Sequence, residues 1–199
     1  MKGRFHLKNI LAIAATVAAP MSKAENAKTE NDQAWTCLTE QVVELGRDTD
    51  LLAAVNNYNS NPPDPIQLDK IWPTLDKSTE IIENLTQTPA ARSMREWINA
   101  ISIQGEGLLI GKNGGLVAST DKTSDFWQGD EAQFLQAITL PESQVHIQRE
   151  MLDESTNMML LKVSAPIYNP RSNHAIGVLV IGFDQFVIDF NQPCELDYH

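Results

Sequence analysis

From residue 34 onward the apolar positions recur at three- and four-residue intervals. Leu38, Val42 and Leu45, then Leu52 and Val55, fall near one face of a helix. The pattern stops at Asn56-Asn57-Tyr58-Asn59, and Pro62-Pro63 follows, which is loop composition. A second helical region carries Ile71, Leu75, Ile81, Ile82 and Leu85, with Pro73 either opening or interrupting a helix. After Thr88-Pro89 a shorter helix over 90–98 turns Met94, Trp97 and Ile98 inward. Beyond residue 100 the elements shorten to strands. Residues 107–110 and 116–119 are apolar strands on either side of Lys112-Asn113-Gly114-Gly115, a turn by its asparagine and glycines. Residues 120–130 are polar and irregular, and 131–138 can form a helix. Strands are expected over 145–149, 158–167 and 175–183, with turns at 153–157 and 169–173. Helices, two strands, a helix and three more strands make an α+β fold with a five-stranded antiparallel sheet. The order excludes a βαβ dinucleotide fold, whose parallel strands need longer crossovers.

The first 33 residues break the pattern. Lys2, Arg4 and Lys8 precede the apolar run ILAIAATVAAPM at 10–21, and Ser22-Lys23-Ala24 offers small residues before Glu25. A positive end, a short apolar core and a small-x-small exit mark residues 1–24 as a secretory signal peptide. The core is too short for the roughly 20 residues of an anchor helix. Residues 25–33 are expected to be a flexible N-terminus, and 34–199 a single domain, periplasmic or secreted and soluble once the signal is removed. An oxidising compartment permits Cys37 and Cys194 to pair, so a disulfide is expected; two free thiols or pairing between chains are the alternatives.

The formal charge is −11, and the first 24 residues hold four basic side chains and no acid, so the remainder stands at −15. That argues against nucleic acid as a partner, because binding to phosphate backbones relies on cationic side chains. It also disfavours a polybasic membrane-surface role.

The run Gly114-Gly115-Leu116-Val117-Ala118-Ser119-Thr120-Asp121-Lys122-Thr123-Ser124-Asp125-Phe126-Trp127-Gln128-Gly129-Asp130-Glu131 resembles the Cache family of PAS-like extracytoplasmic sensor domains. Asp153-Glu154-Ser155, Val163-Ser164-Ala165-Pro166-Ile167-Tyr168 and Ile176-Gly177-Val178-Leu179 extend the resemblance over roughly 100–188. It implies N-terminal helices packed on a five-stranded sheet, and a module of bacterial chemoreceptors and sensor kinases. Such proteins usually continue through a membrane helix into a signalling domain, whereas this sequence ends at His199. The expectation is a free-standing domain that binds a small molecule and informs a separate membrane receptor or sensor kinase. The alternative is an interaction module without its own ligand. In the family the N-terminal helix often mediates dimer contacts, so a homodimer through it belongs with that alternative.

The resemblance places segment 124–130 beside the ligand pocket. There Trp127 is either a wall for a ligand or a core residue closing the sheet edge. Asp125 and Asp130 are carboxylates for an amine, or, respectively, an Asx-type turn and a helix cap with Gln133 three residues on. Arg149, Lys162, Ser164, Tyr168 and Asp184 fall on the strands that would wall the pocket. On the fourth strand Lys162 and Ser164 share one face, which is either pocket lining or the solvent side. Asp125, Asp130 and Asp184 with Trp127 and Tyr168 suit an ammonium group. Arg149 can grip a carboxylate. Amines and amino acids therefore rank above small carboxylic acids. The acids at 121, 125, 130 and 131 lack EF-hand spacing, so neither a metal nor a cofactor is expected. No G-x-S-x-G, P-loop or H-E-x-x-H occurs, and an abundance of acids reads as a solvated face rather than a catalytic pair. The chain is expected not to be an enzyme.

Overall fold

The computed structural model describes residues 35–101, 105–153 and 158–184; the expected signal peptide, the stretch 25–33 and Cys194 lie outside them. Two helices stand where the periodicity suggested one. Helix α1 (35–45) ends at Gly46-Arg47, and α2 (Thr49–Ser60) restarts beneath Asp48. The Asp48 carboxylate accepts from the backbone N–H groups of Asp50 and Leu51 at 2.8 and 3.2 Å. A helix start leaves such groups without partners, and the cap satisfies them. Restarting resets the phase, so Leu51 and Val55 are buried while Leu52 is half-buried.

The next stretch holds two short helices, α3 (Pro65–Ile71) and α4 (Glu80–Thr86), separated by a 3₁₀ turn at Trp72–Thr74. Pro73 lies inside that turn and breaks the 3.6-residue period, which rotates the buried face. Trp72 goes inside, whereas Ile71 is 44% exposed. Likewise Ile82 and Leu85 are buried and the neighbouring Ile81 is 38% exposed. Helix α5 (Pro89–Ala100) starts at Thr88, whose hydroxyl accepts from the Ala91 N–H at 3.0 Å. It buries Ala90, Ala91, Met94 and Ile98.

The strands are β1 (Gly105–Gly111), β2 (Leu116–Ser119), β3 (His146–Asp153), β4 (Met158–Asn169) and β5 (His174–Asp184), with α6 (Ala132–Ala137) between β2 and β3. They form one antiparallel sheet in the order β2-β1-β5-β4-β3. Two hairpins are thus joined through the central pair β1–β5. The β1–β2 turn needs its glycine: Gly114 has φ +82°, and a Cβ there would collide with Gly129 Cα.

Side chains alternate across the sheet. One face carries Leu109, Val163, Ala165, Leu179, Ile181 and Phe183 against α1, α2 and α5. The other carries Leu108, Ile110, Val178 and Val180 against Trp72, Ile82, Phe126 and Phe134. The helices expected on the sheet are there, and the second face is covered as well. Helix α6 lies over β3, β4 and β5 on that second face.

Candidate functional site beneath helix α6

Alternation along β4 sends Leu161, Val163 and Ala165 toward the long helices and leaves Lys162 and Ser164 on the α6 side. Ser164 stands opposite Val180 of β5 and His146 of β3; Lys162 stands opposite Gly182 and Gln148. Glu106 of β1 is also opposite Gly182. Lys162 and Glu106 therefore flank, from two strands apart, a residue with no side chain. Their heads meet across it, Nζ to Oε1 at 3.6 Å, with side chains only 13% and 12% exposed. The Ser164 hydroxyl is fully buried and has no hydrogen-bond partner; so is that of Ser119, opposite Leu108 on the same face.

The roof is polar too. Gln133 of α6 and Gln128 of the preceding loop are buried. Gln133 Nε2 donates to Gln128 Oε1 at 2.8 Å, and Gln128 Nε2 donates to Asp125 Oδ1 at 2.8 Å. Asp125 also accepts from the Ser124 hydroxyl at 3.0 Å. Glu131 opens α6 without making a capping bond. Burial and the neighbouring Asp125 and Asp130 carboxylates raise its pKa, and Lys162 draws it back. The Lys162 ammonium, the Glu106 carboxylate and the unpartnered Ser164 hydroxyl thus lie on the face that α6 covers, with Asp125 and Glu131 beside that helix; Ser119 is on the same face, three strands away from Ser164.

The Glu131 shift has a consequence for stability. The folded chain holds this proton more tightly than the unfolded chain, so stability falls as pH rises from the ordinary glutamate range through the raised one. Glu131→Gln is expected to raise the melting temperature at about pH 7 and to leave it unchanged at about pH 3, where both forms are neutral. The rise should be small, because water reaches part of the carboxyl. A lower melting temperature for the variant at neutral pH would contradict this.

Of the residues expected from sequence, Ser164 and Asp125 belong to this layer. Asp130 is exposed at its margin; the cap position of α6 is Glu131, one residue later. Trp127 is tied elsewhere. Its indole lies against Gly129 and Gly114, Nε1 donates to the Asn113 carbonyl at 3.3 Å, and its backbone N–H donates to Asp69 Oδ1 at 3.0 Å. Tyr168 lies near the far end of β4, its hydroxyl donating to the Leu140 carbonyl at 2.9 Å. Arg149 is exposed, with its guanidinium 4.7 Å over the Trp35 ring of α1. Asp184 is half-buried at the end of β5, opposite Leu160. The sequence offers Glu106 only as one carboxylate among many acids that read as a solvated face, Lys162 as one of several strand candidates, and Ser119, Gln128 and Gln133 as no site residue. Their signal was weak: Glu106 sits between Gly105 and Gly107, and its partner is known only once the register is known.

Among the described residues no cluster of three or more His, Cys, Asp or Glu is arranged to hold a metal, no cysteine is free, and no helix is long and apolar enough to cross a membrane. The five-stranded antiparallel sheet with helices before it and a short helix over its second face has Cache/PAS-like topology. The sensor domain of the V. cholerae histidine kinase DctB superposes with a TM-score of 0.51 at 14% identity, over 87% of this chain and 59% of that one. The ligand-binding domain of the Campylobacter jejuni chemoreceptor Tlp3, solved with L-norvaline, gives 0.43 at 16% identity over 87% and 64%. That of the Pseudomonas fluorescens chemoreceptor CtaA, solved with L-serine, gives 0.41 at 12% over 80% and 56%. The chain spans less than two thirds of the length of each. No protein-family model and no curated protein matches it.

Proposed function

We propose that this is a non-enzymatic, extracytoplasmic domain that binds a small molecule in the layer beneath α6 and passes the occupancy of that layer to a separate membrane receptor or sensor kinase. The observation that carries the reading is the buried Ser164 hydroxyl, left without a partner beside the Lys162–Glu106 pair. Native structures satisfy nearly all such groups, and an exception points to a missing partner. The fold likeness to a histidine kinase sensor domain supports a sensing role. Amines and amino acids remain ranked above small carboxylic acids. Glu106, Glu131 and Asp125 outnumber Lys162, so a ligand with an ammonium group gains more than a dianion does.

Thermal denaturation of the purified protein against a panel of amines, amino acids and small carboxylic acids tests this. An amino acid or amine is expected to raise the melting temperature, and Ser164→Val is expected to abolish the rise while the variant stays folded. Stabilisation by citrate or malate alone overturns the ranking of ligands. A panel without effect, or an undiminished rise in Ser164→Val, overturns the site.

A further inference from the structure

The two edges of the sheet differ. Strand β2 has four residues, and its outer side is occupied. The Leu116 N–H donates to the Phe126 carbonyl at 3.2 Å, the Gln128 N–H donates to that of Gly114 at 2.7 Å, and Gly115 bridges to Trp127. Strand β3 has eight residues and no proline or glycine, and among the described residues it pairs with β4 alone. The outer row of backbone groups on such an edge is a template for another strand. The β3 sequence, His-Ile-Gln-Arg-Glu-Met-Leu-Asp, matches itself when reversed. About a point between Arg149 and Glu150, a cation meets an anion, Gln148 meets Met151, Ile147 meets Leu152, and His146 meets Asp153. Each of these pairs joins an even-numbered to an odd-numbered position, which a regular strand puts on opposite faces. Residues directly opposite in an antiparallel pair must share a face, so a regular strand could not use this match. Strand β3 is not regular. Gln148 stands opposite Lys162 and Met151 opposite Leu160, so β3 takes three steps where β4 takes two. Positions 160 and 162 of β4 belong to one face, and the bulge therefore brings positions 148 and 151 to one face as well.

We propose that the free edge of β3 is an interface for a second copy of this chain, paired antiparallel about a two-fold axis that is normal to the sheet and passes between Arg149 and Glu150. Residues 146–148 of one copy then stand opposite 151–153 of the other, and the two bulges meet at the axis, where they interrupt neither ladder. The contact is isologous, so every pair occurs twice. The two five-stranded sheets become one continuous sheet with both α6 helices on the same side. This surface is distinct from the N-terminal helix. Arg149 is exposed beyond its contact with Trp35, which leaves its guanidinium within reach of the edge. The net charge of −11 opposes association of two copies. The dimer is therefore concentration-dependent, and the Arg149–Glu150 match at the axis fixes its register.

Sedimentation equilibrium of the purified chain from about 1 to 100 μM tests this. The natural chain is expected to pass from monomer to dimer over that range. Arg149→Glu and Glu150→Arg each bring like charges face to face at the axis, and each is expected to weaken the dimer about tenfold or more. The double variant exchanges the two charges and is expected to restore the dimer, which a dimer formed through another surface would not require. Melting temperatures check that all three variants fold. Hydrogen exchange of the natural chain reads the interface without any substitution: amides within 146–153 are expected to gain protection as the concentration rises. A monomer at all concentrations, a dimer that neither single variant weakens, a double variant that fails to recover, or a dimer without added protection in 146–153 would overturn the proposal.

Discussion

Trp72→Ala is expected to lower the unfolding free energy by about 3–5 kcal/mol, the range for emptying a buried aromatic site. The indole is fully buried and packs against Phe126, ring centroids 5.3 Å apart at 58°. Its neighbours Ile82, Leu85 and Leu116 come from α4 and from β2. Its N–H donates to the Thr123 carbonyl at 2.9 Å, which pins the polar loop before α6 to the 3₁₀ turn. Alanine removes the apolar area, leaves a cavity that rigid strands cannot close, and frees the Thr123 carbonyl. Trp72→Phe separates these contributions: it keeps most of the packing, loses the hydrogen bond, and should cost nearer 1–2 kcal/mol. Typical domains are stable by only about 5–15 kcal/mol, so the alanine variant should be marginal at 37 °C. Urea unfolding followed by circular dichroism measures both. A cost below about 1 kcal/mol for Trp72→Ala would mean that the second face of the sheet is not a true core.

The fold was legible in the sequence to the degree that periodicity carries it. Alternation along 158–167 and 175–183, the Asn-Gly-Gly turn and the loss of helical spacing after residue 100 led directly to five antiparallel strands. What failed were places where a single side chain overrides the period. Asp48 splits the first helix by capping the second, and Pro73 turns Trp72 inward at the expense of Ile71. Neither is visible as a change of hydrophobic spacing. The candidate site was less legible for a different reason. Ser164 lies on a strand whose face can be read from alternation, and it is in the polar layer. Trp127 and Arg149 stand out in the sequence for their chemistry, and chemistry does not fix direction: one ring lies on a glycine turn and the other group lies on Trp35. Glu106 and Lys162 are 56 positions apart in the sequence. They meet only because β1 and β4 flank β5 at Gly182, a fact of register that no local pattern contains.

That pair gives the second large effect. Lys162→Met or Glu106→Leu alone is expected to cost about 2–4 kcal/mol, because each removes an opposite charge from a mostly buried head. The upper end applies to full burial; at 13% and 12% exposure some water still reaches both heads. The double variant should recover most of the loss, since two apolar side chains of similar length fill the same space; the recovery is limited because Glu131 loses the Lys162 charge that favours its ionised form. The expected coupling is about 1–3 kcal/mol, read from a double-mutant cycle by urea unfolding. Costs that simply add would show that the two heads do not depend on each other. Ser164→Ala supplies the contrast on the same face. Its hydroxyl is buried and makes no hydrogen bond, so removing it should leave stability unchanged or raise it. If the pair is dispensable as a pair and the hydroxyl is a liability, then packing does not account for this polar layer. A buried arrangement that apolar residues would replace without loss is what a binding site looks like when stability is given up for recognition. On that reasoning the double variant should fold about as well as the natural chain and fail to be stabilised by any ligand that stabilises it, which separates recognition from folding at the same two positions.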